Sequence, residues 1–227
     1  MKSNPGSDRE LRRLSTPRAA AIAGILFGLL FATSLALMRE AIPANISTDL
    51  TWVQSGAWQI SAALAIMPFA GIAYLWFIGV VRDRLGEFED RFFSSVFYGS
   101  SLLFLAMVFV SMAIAGGILT TYSVIEGEMP DYTVIYFGRA VMLHISNVYA
   151  LRMAGVTMIS LATIWLRTSL MPRWLAVVTY SLALALLVVV DYSLWITLVF
   201  PAWVFLISLF ILWMQYKHPN ERLQQPT

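Results

Sequence analysis

The stretch VMLHISNVYALRMAGVTMISLATIWL, residues 141–166, carries one formal charge, Arg152, in an otherwise apolar run. A helix crosses the hydrocarbon core of a bilayer with about 20 predominantly apolar residues, and this run is long enough. A guanidinium at that depth costs at least ~2.5–3.5 kcal/mol on insertion scales, so a compensating partner or a use is expected for it. Five further segments meet the same length criterion: residues 19–38, 56–81, 94–119, 174–190 and 194–214. The fifth in chain order, 174–190, is close to the lower limit. The chain therefore reads as an all-α, polytopic membrane protein with six transmembrane helices.

Composition agrees with that reading. Of 227 residues, 59% are hydrophobic and 12% charged, too little charge to coat a water-soluble domain. Orientation follows from the basic residues. Lys2, Arg9, Arg12, Arg13, Arg18, Arg82, Arg84, Arg91, Arg167, Arg173, Lys217 and Arg222 all fall on one side if there are six spans. Only Arg39 and Arg139 fall on the other, beside Glu40, Asp49, Glu126, Glu128, Asp131 and Asp191. Both termini are thus expected in the cytoplasm. The formal net charge of +2 reflects this inside bias and gives no reason to expect nucleic-acid binding. Arg outnumbers Lys thirteen to two, which associates the chain with a GC-rich bacterial genome and a multi-pass place in the cytoplasmic membrane.

The expected organisation is a disordered cytoplasmic tail over 1–17, a six-helix domain over 18–214 and a short cytoplasmic tail over 215–227. The first span is too long for a signal-peptide core and reads as an uncleaved anchor. It also carries Ala20, Gly24, Gly28, Ala32 and Ala36 at every fourth position. Small residues at that spacing form a flat stripe along which another backbone approaches closely. A neighbour in the same chain is the first expectation for that stripe, and a protein partner the second. A smaller version, Ala113 with Gly116-Gly117, lies in the third span. Residues 82–93, with Leu85, Phe88 and Phe92 at helical spacing, suggest a short amphipathic helix at the inner interface.

Depth can be counted from the basic residue bounding each helix. At 1.5 Å per residue, Arg152 lies ~22 Å above Arg167, Pro68 ~21 Å above Arg82, Pro201 ~24 Å above Lys217 and Asp191 ~27 Å above Arg173. The four share one level in the outer half of the membrane. Pro68 and Pro201 are expected as helix breaks, each freeing the carbonyl four residues earlier. Asp191 is the acidic residue expected to pair with Arg152, directly or through water. On an α-helical wheel, His144 and Arg152 fall ~80° apart and face one cavity, while Asn147 points to another helix. The candidate ligand-binding set is Arg152, His144, Asp191 and Tyr149.

Several chemistries lack their residues. There are no cysteines and only two histidines, which removes thiolate metal sites, catalytic thiols and bis-histidine haem ligation inside the membrane. No lysine lies in a span, no metalloprotease, nucleophile-elbow or phosphate-loop motif is present, and mid-depth carboxylates for ion transport are missing. No cofactor or metal is expected, and the chain reads more readily as a non-enzyme than as a lipid-modifying enzyme, for which no nucleophile or metal site is identifiable. The sequon Asn45-Ile-Ser47 and the acidic run from Glu126 to Asp131 read as ordinary outer-loop features.

Two stretches, PFAGIAYLWFIGVVRDRLGEFEDRFF from Pro68 to Phe93 and NVYALRMAG from Asn147 to Gly155, carry a resemblance. They resemble an uncharacterised family of small six-span integral membrane proteins from actinobacteria and related bacteria. That resemblance implies a bacterial membrane location and brings no reaction, ligand or site with it. Two functions are then expected in contrast. One is binding or passage of a small molecule or lipid headgroup at the outer-half polar level, with Arg152 as anion anchor. The other is an accessory subunit of a larger membrane complex, docked through the first span, with Arg152 and Asp191 as a structural clasp.

Overall fold

The structure, a computed structural model, describes residues 5–42, 51–85, 91–124, 132–168, 171–188 and 196–217. Its helices are α1 (Pro5–Ala41), α2 (Thr51–Ser55), α3 (Ala57–Leu85), α4 (Arg91–Val124), α5 (Tyr132–His144), α6 (Leu151–Thr168), α7 (Arg173–Val188) and α8 (Val199–Lys217). A π-helical segment, Ile145–Ala150, joins α5 to α6 in one continuous run, and a 3₁₀ turn, Ile196–Leu198, leads into α8. Among the described residues there is no strand.

Five helical runs are long and apolar enough to cross a membrane: Arg18–Ala41, Ala57–Asp83, Phe92–Ser123, Thr133–Thr168 and Ile196–Met214. The sixth apolar helix, Arg173–Val188, is shorter, at 16 residues. Neighbours run antiparallel throughout. Ser34 of α1 donates to the Ala63 carbonyl of α3 over 2.9 Å, while Gly24 of α1 faces Phe77. Gly71 of α3 packs on Leu105 and Phe109 of α4, and Gly116 on Leu64. Thr163 of α6 and Tyr180 of α7 share a hydroxyl contact of 2.6 Å, and Gly155 faces Ala183 and Leu187. Trp203 of α8 donates to Thr179 of α7 over 3.0 Å. The ring of helices closes where α1 meets α8, with Gly24 on Ser208 and Gly28 on Pro201 and Phe205.

That closure answers the small-residue stripe. Added Cβ atoms at Gly24 and Gly28 would meet α8 of the same chain, and Ala32 is half-buried. The stripe is used within the bundle from Ala20 to Gly28, while Ala36 at its far end is exposed.

The side chains pack in two separate cores. The inner one is aromatic: Phe27, Phe31, Tyr74, Phe77, Phe104, Phe200, Trp165 and Trp203 converge there. Ring centroids lie 4.6 Å apart for Phe27–Tyr74 and for Phe104–Phe200. The outer core gathers Met38, Trp52, Ile60, Ile118, Ile135 and Met142. Met112 of α4 packs against both.

Several sequence expectations change. Helix α1 takes in residues 5–17, assigned above to a disordered tail, because extending an existing helix avoids the cost of nucleation. Residues 82–93 do not form a separate helix: α3 continues to Leu85 and α4 starts at Arg91, with 86–90 outside the described residues. Pro68 does not break α3, which is helical from Ala57 to Leu85. A proline forfeits its own i→i−4 bond, while the bonds on either side hold the helix together. Pro201 is the third residue of α8, in the first turn, where the missing N–H has no helical acceptor to lose. Neither proline opens a helix.

Arg39 and Arg139, expected in outer connections, are helical. Arg39 sits in the last turn of α1, and Arg139 lies in α5, buried at 8% exposure. The run from α5 through α6 explains Arg139. It is 28 residues from Arg167, or ~42 Å at helical rise, which equals the ~40–45 Å of a whole bilayer with its headgroups. Arg139 sits in α5 beyond the most apolar part of the run, where α5 packs on the end of α4 through Gly138 on Ile114 and Ile118. Asn45-Ile-Ser47, the acidic run 126–131 and Asp191 lie outside the described residues.

Candidate functional site

The π-helical segment Ile145–Ala150 is the irregular feature of the fourth span, and it occupies the stretch between His144 and Arg152. π turns are uncommon and recur at functional sites. Local hydroxyls account for it. Widening a helix from i→i+4 to i→i+5 displaces carbonyls from their usual donors, and two carbonyls just before the segment find new ones. Ser111 of α4 donates to the Met142 carbonyl over 3.1 Å. Ser146 donates to the Leu143 carbonyl at 3.2 Å, and its Oγ also lies 3.3 Å from Asn147 Oδ1. Side chains that bond neighbouring backbone carbonyls compete with regular helix in this way.

The extra residue per turn reorders the faces. Wheel positions counted at α-helical spacing from Arg152 back to His144 pass through the π segment and lose phase there. Asn147 is buried at 6% exposure, whereas His144 is exposed and Tyr149 is 56% exposed. Arg152 is half-buried. His144 and Arg152 are thus not brought to one cavity. The polar residues turned inward are Ser146 and Asn147, which a wheel of constant phase does not select. The Nδ2 of Asn147 is buried with no hydrogen-bond partner, an unusual state for a buried amide.

Beside the segment is a small cavity of about 30 Å³, between α1, α4, the π turn and the 3₁₀ turn. Its polar lining comes from Ser111, Ser146 and Thr197, and its apolar walls include Phe31, Leu35, Phe104 and Val108. Arg152 stands on another side of the same run. Gly155 faces Leu187 of α7, and Arg152 is three residues further out, ~4.5 Å along the axis. Helix α7 ends near that level, at Val188, and Asp191, the expected partner of Arg152, lies outside the described residues.

Deeper in the bundle a second polar group ties α4 to α6. The Ser100 and Thr157 hydroxyls are 2.9 Å apart, Ser101 donates to Thr157 over 3.4 Å, and Thr157 donates to the Met153 carbonyl over 2.9 Å. The fully buried Tyr74 hydroxyl of α3 lies beside Ser101 and Thr157 but makes no hydrogen bond among the described residues. Interhelical hydrogen bonds in membranes contribute ~0.6 kcal/mol on average and up to ~1.7. Thr157→Val removes the centre of this group, and should lower stability by about 1–2 kcal/mol, read as a lower melting temperature in detergent. Thr157→Ser should restore it; equal melting of the valine variant and wild type would refute the assignment.

The conspicuous tryptophans divide by place. Trp58, Trp76, Trp174 and Trp213 face outward, while Trp203 is core. At one end of the bundle, Arg82 lies over the Tyr98 ring at 4.3 Å and Arg167 over Phe93 at 4.8 Å, so α3, α4 and α6 share one basic end. Among the described residues no group of three or more His, Asp and Glu side chains gathers as a metal would require. Comparison with protein-family models, with curated proteins and with solved structures returned no match.

Proposed function

We propose that the chain is a six-span protein of a bacterial cytoplasmic membrane, with both termini inside, that binds an anionic headgroup or small anionic molecule at Arg152. The observation that carries the binding reading is the π segment beside Arg152, which interrupts an otherwise regular span where the polar residues concentrate. Six spans are supported by the antiparallel packing of α7 against both α6 and α8. At 16 residues, α7 is ~24 Å long, short of the ~30 Å core, and local thinning of the bilayer accommodates such a mismatch at modest cost. The shared basic end of α3, α4 and α6 supports an inside placement of the connections that carry Arg82 and Arg167.

Arg152 suits an anion because a guanidinium offers five donors and no acceptor. Its half-burial and the exposed Tyr149 one turn away favour an approach from the bilayer side. The inner core is filled by aromatic rings, which argues against a wide central path. An accessory role would need a docking surface other than the small-residue face, since Gly24 and Gly28 already pack on α8.

Nanodiscs with and without phosphatidylglycerol test the reading. Arg152→Gln should fold and lose retained anionic lipid in native mass spectrometry. The exchange Arg152→Asp with Asp191→Arg should fold and also lose it. Full lipid retention in the exchanged protein would make the pair a structural clasp and end the binding proposal.

A further inference from the structure

We propose, resting on the anion reading above, that the ligand of Arg152 is a whole anionic phospholipid. Its headgroup meets Arg152, and one acyl chain lies in a lengthwise recess of α6 between α4 and α7.

The recess is visible in the burial pattern. From Leu151 to Trp165 no residue of α6 is fully exposed, whereas α7 beside it exposes Val177, Ser181 and Leu184 on successive turns. Five residues of that stretch are half-buried: Arg152, Met153, Val156, Ile159 and Thr163. After the adjacent pair they recur three or four apart, which keeps side chains on one face of an α-helix. Helix α6 is regular from Leu151 to Thr168, so its phase holds along the whole stripe. With Arg152 as origin, Gly155 falls ~60° to one side and Thr157 ~140° to the other. Gly155 faces Ala183 and Leu187 of α7, and Thr157 meets Ser100 of α4. The half-buried stripe occupies the arc between those two contacts. It is the floor of a groove walled by α4 and α7.

The chemistry of the groove runs from polar to apolar. At one end is Arg152, whose side chain leans toward the N-terminal end of its helix, the side of the exposed Tyr149. Long cationic side chains reach toward headgroups in the same manner. The floor beyond it is apolar, through Met153, Val156 and Ile159. At the far end Thr163 donates to the Ile159 carbonyl over 2.8 Å, so in the 2.6 Å contact Tyr180 is the donor and Thr163 the acceptor. Both hydroxyl protons are used, and that end offers an anion nothing. Thr163 lies ~16.5 Å from Arg152 along the axis, about half of the ~30 Å hydrocarbon core. A donor at one end and one leaflet's depth of apolar floor fit an anionic amphiphile. A small soluble anion would leave that floor unused.

The test is photolabelling of the intact protein in phosphatidylcholine nanodiscs containing a trace of phosphatidylglycerol with a diazirine in one acyl chain. Label on Met153–Thr163 should exceed several-fold the label on Ile22, Leu26 and Leu29, exposed residues of α1. Diacylglycerol with the same chain and no phosphate should give no such excess, nor should phosphatidylglycerol with Arg152→Gln. Even labelling of α6 and α1 overturns the recess, while the anion reading then stands or falls by the lipid-retention test above. An equal excess from diacylglycerol, or one that survives Arg152→Gln, overturns both, because the chain is then held without its headgroup. Absence of label on the α6 stripe from either lipid overturns the proposal too and means that a protein segment covers the groove. If Arg152→Gln does not fold, the comparison with diacylglycerol in the wild type decides alone.

Discussion

Gly28→Leu is expected to separate α1 from α8 and abolish a cooperative melting transition in detergent. A Cβ on Gly28 would stand 2.7 Å from the Phe205 Cβ and 3.1 Å from the Pro201 carbonyl. Both obstacles are fixed to the α8 backbone, so no rotamer change relieves them and the helices must part. Overpacking of a close contact costs ~1–3 kcal/mol and occasionally more; leucine adds three further carbons beyond that Cβ and belongs at the upper end. Gly28→Ala should already destabilise measurably.

Gly24 makes a sharper comparison. There the nearest obstacle is the Ser208 hydroxyl, with the Ser208 Cβ and Phe77 behind it, each at 3.0 Å. Ser208 Oγ is buried and makes no hydrogen bond among the described residues, so its removal leaves nothing unsatisfied. Ser208→Ala should therefore recover much of the loss caused by Gly24→Ala and none of that caused by Gly28→Ala. Identical melting of Gly28→Ala and wild type would mean that the α1–α8 contact is looser than these distances require.

The second large effect is expected at Phe200. Its ring is fully buried and meets Phe104 at 4.6 Å, Trp203 at 5.8 Å, Tyr74 at 5.9 Å and Phe27 at 6.2 Å. Truncating a core phenylalanine to alanine costs ~3–5 kcal/mol, from lost contacts and the cavity left behind. In a bilayer the neighbouring lipid is as apolar as the side chain, so packing rather than transfer from water carries this cost. Phe200→Ala should thus lower the melting temperature far more than Trp76→Ala, whose side chain is 70% exposed. A wild-type melt for Phe200→Ala would contradict the close packing of the aromatic core.

These effects concern contacts of different legibility. The small-residue stripe was readable because every-fourth spacing in a helix is a local property, fixed by 3.6 residues per turn. Which helix filled it was not, since nothing in residues 20–36 refers to Ser208 or Phe205. The shared level of Arg152, Pro68, Pro201 and Asp191 relied on uniform helical rise and phase. Two of its members behaved otherwise: Pro68 stays within a continuous helix and Pro201 starts one. The grouping of His144 with Arg152 failed for a related reason, because the π segment between them changes the phase of everything beyond it.

Arg139 illustrates the same limit from another side. Hydropathy assigned it to a loop since charge marks the end of an apolar run. The helix runs on to Tyr132 because α5 is packed against the end of α4, through Gly138 on Ile114 and Ile118. That packing stabilises a helical extension beyond the apolar stretch, and it creates the outer core.

What the amino-acid order determined by itself is the all-helical class and the apolar runs long enough to cross a membrane. Each depends on the cost of bare backbone or charge in hydrocarbon, which a segment incurs whatever its neighbours are. Only the tertiary structure decided the face that Asn147 and Ser146 present, the partner of the glycine stripe and the two-core division. Those depend on hydroxyls and side chains from other helices, Ser111 above all, reaching the backbone at the point where the fourth span widens.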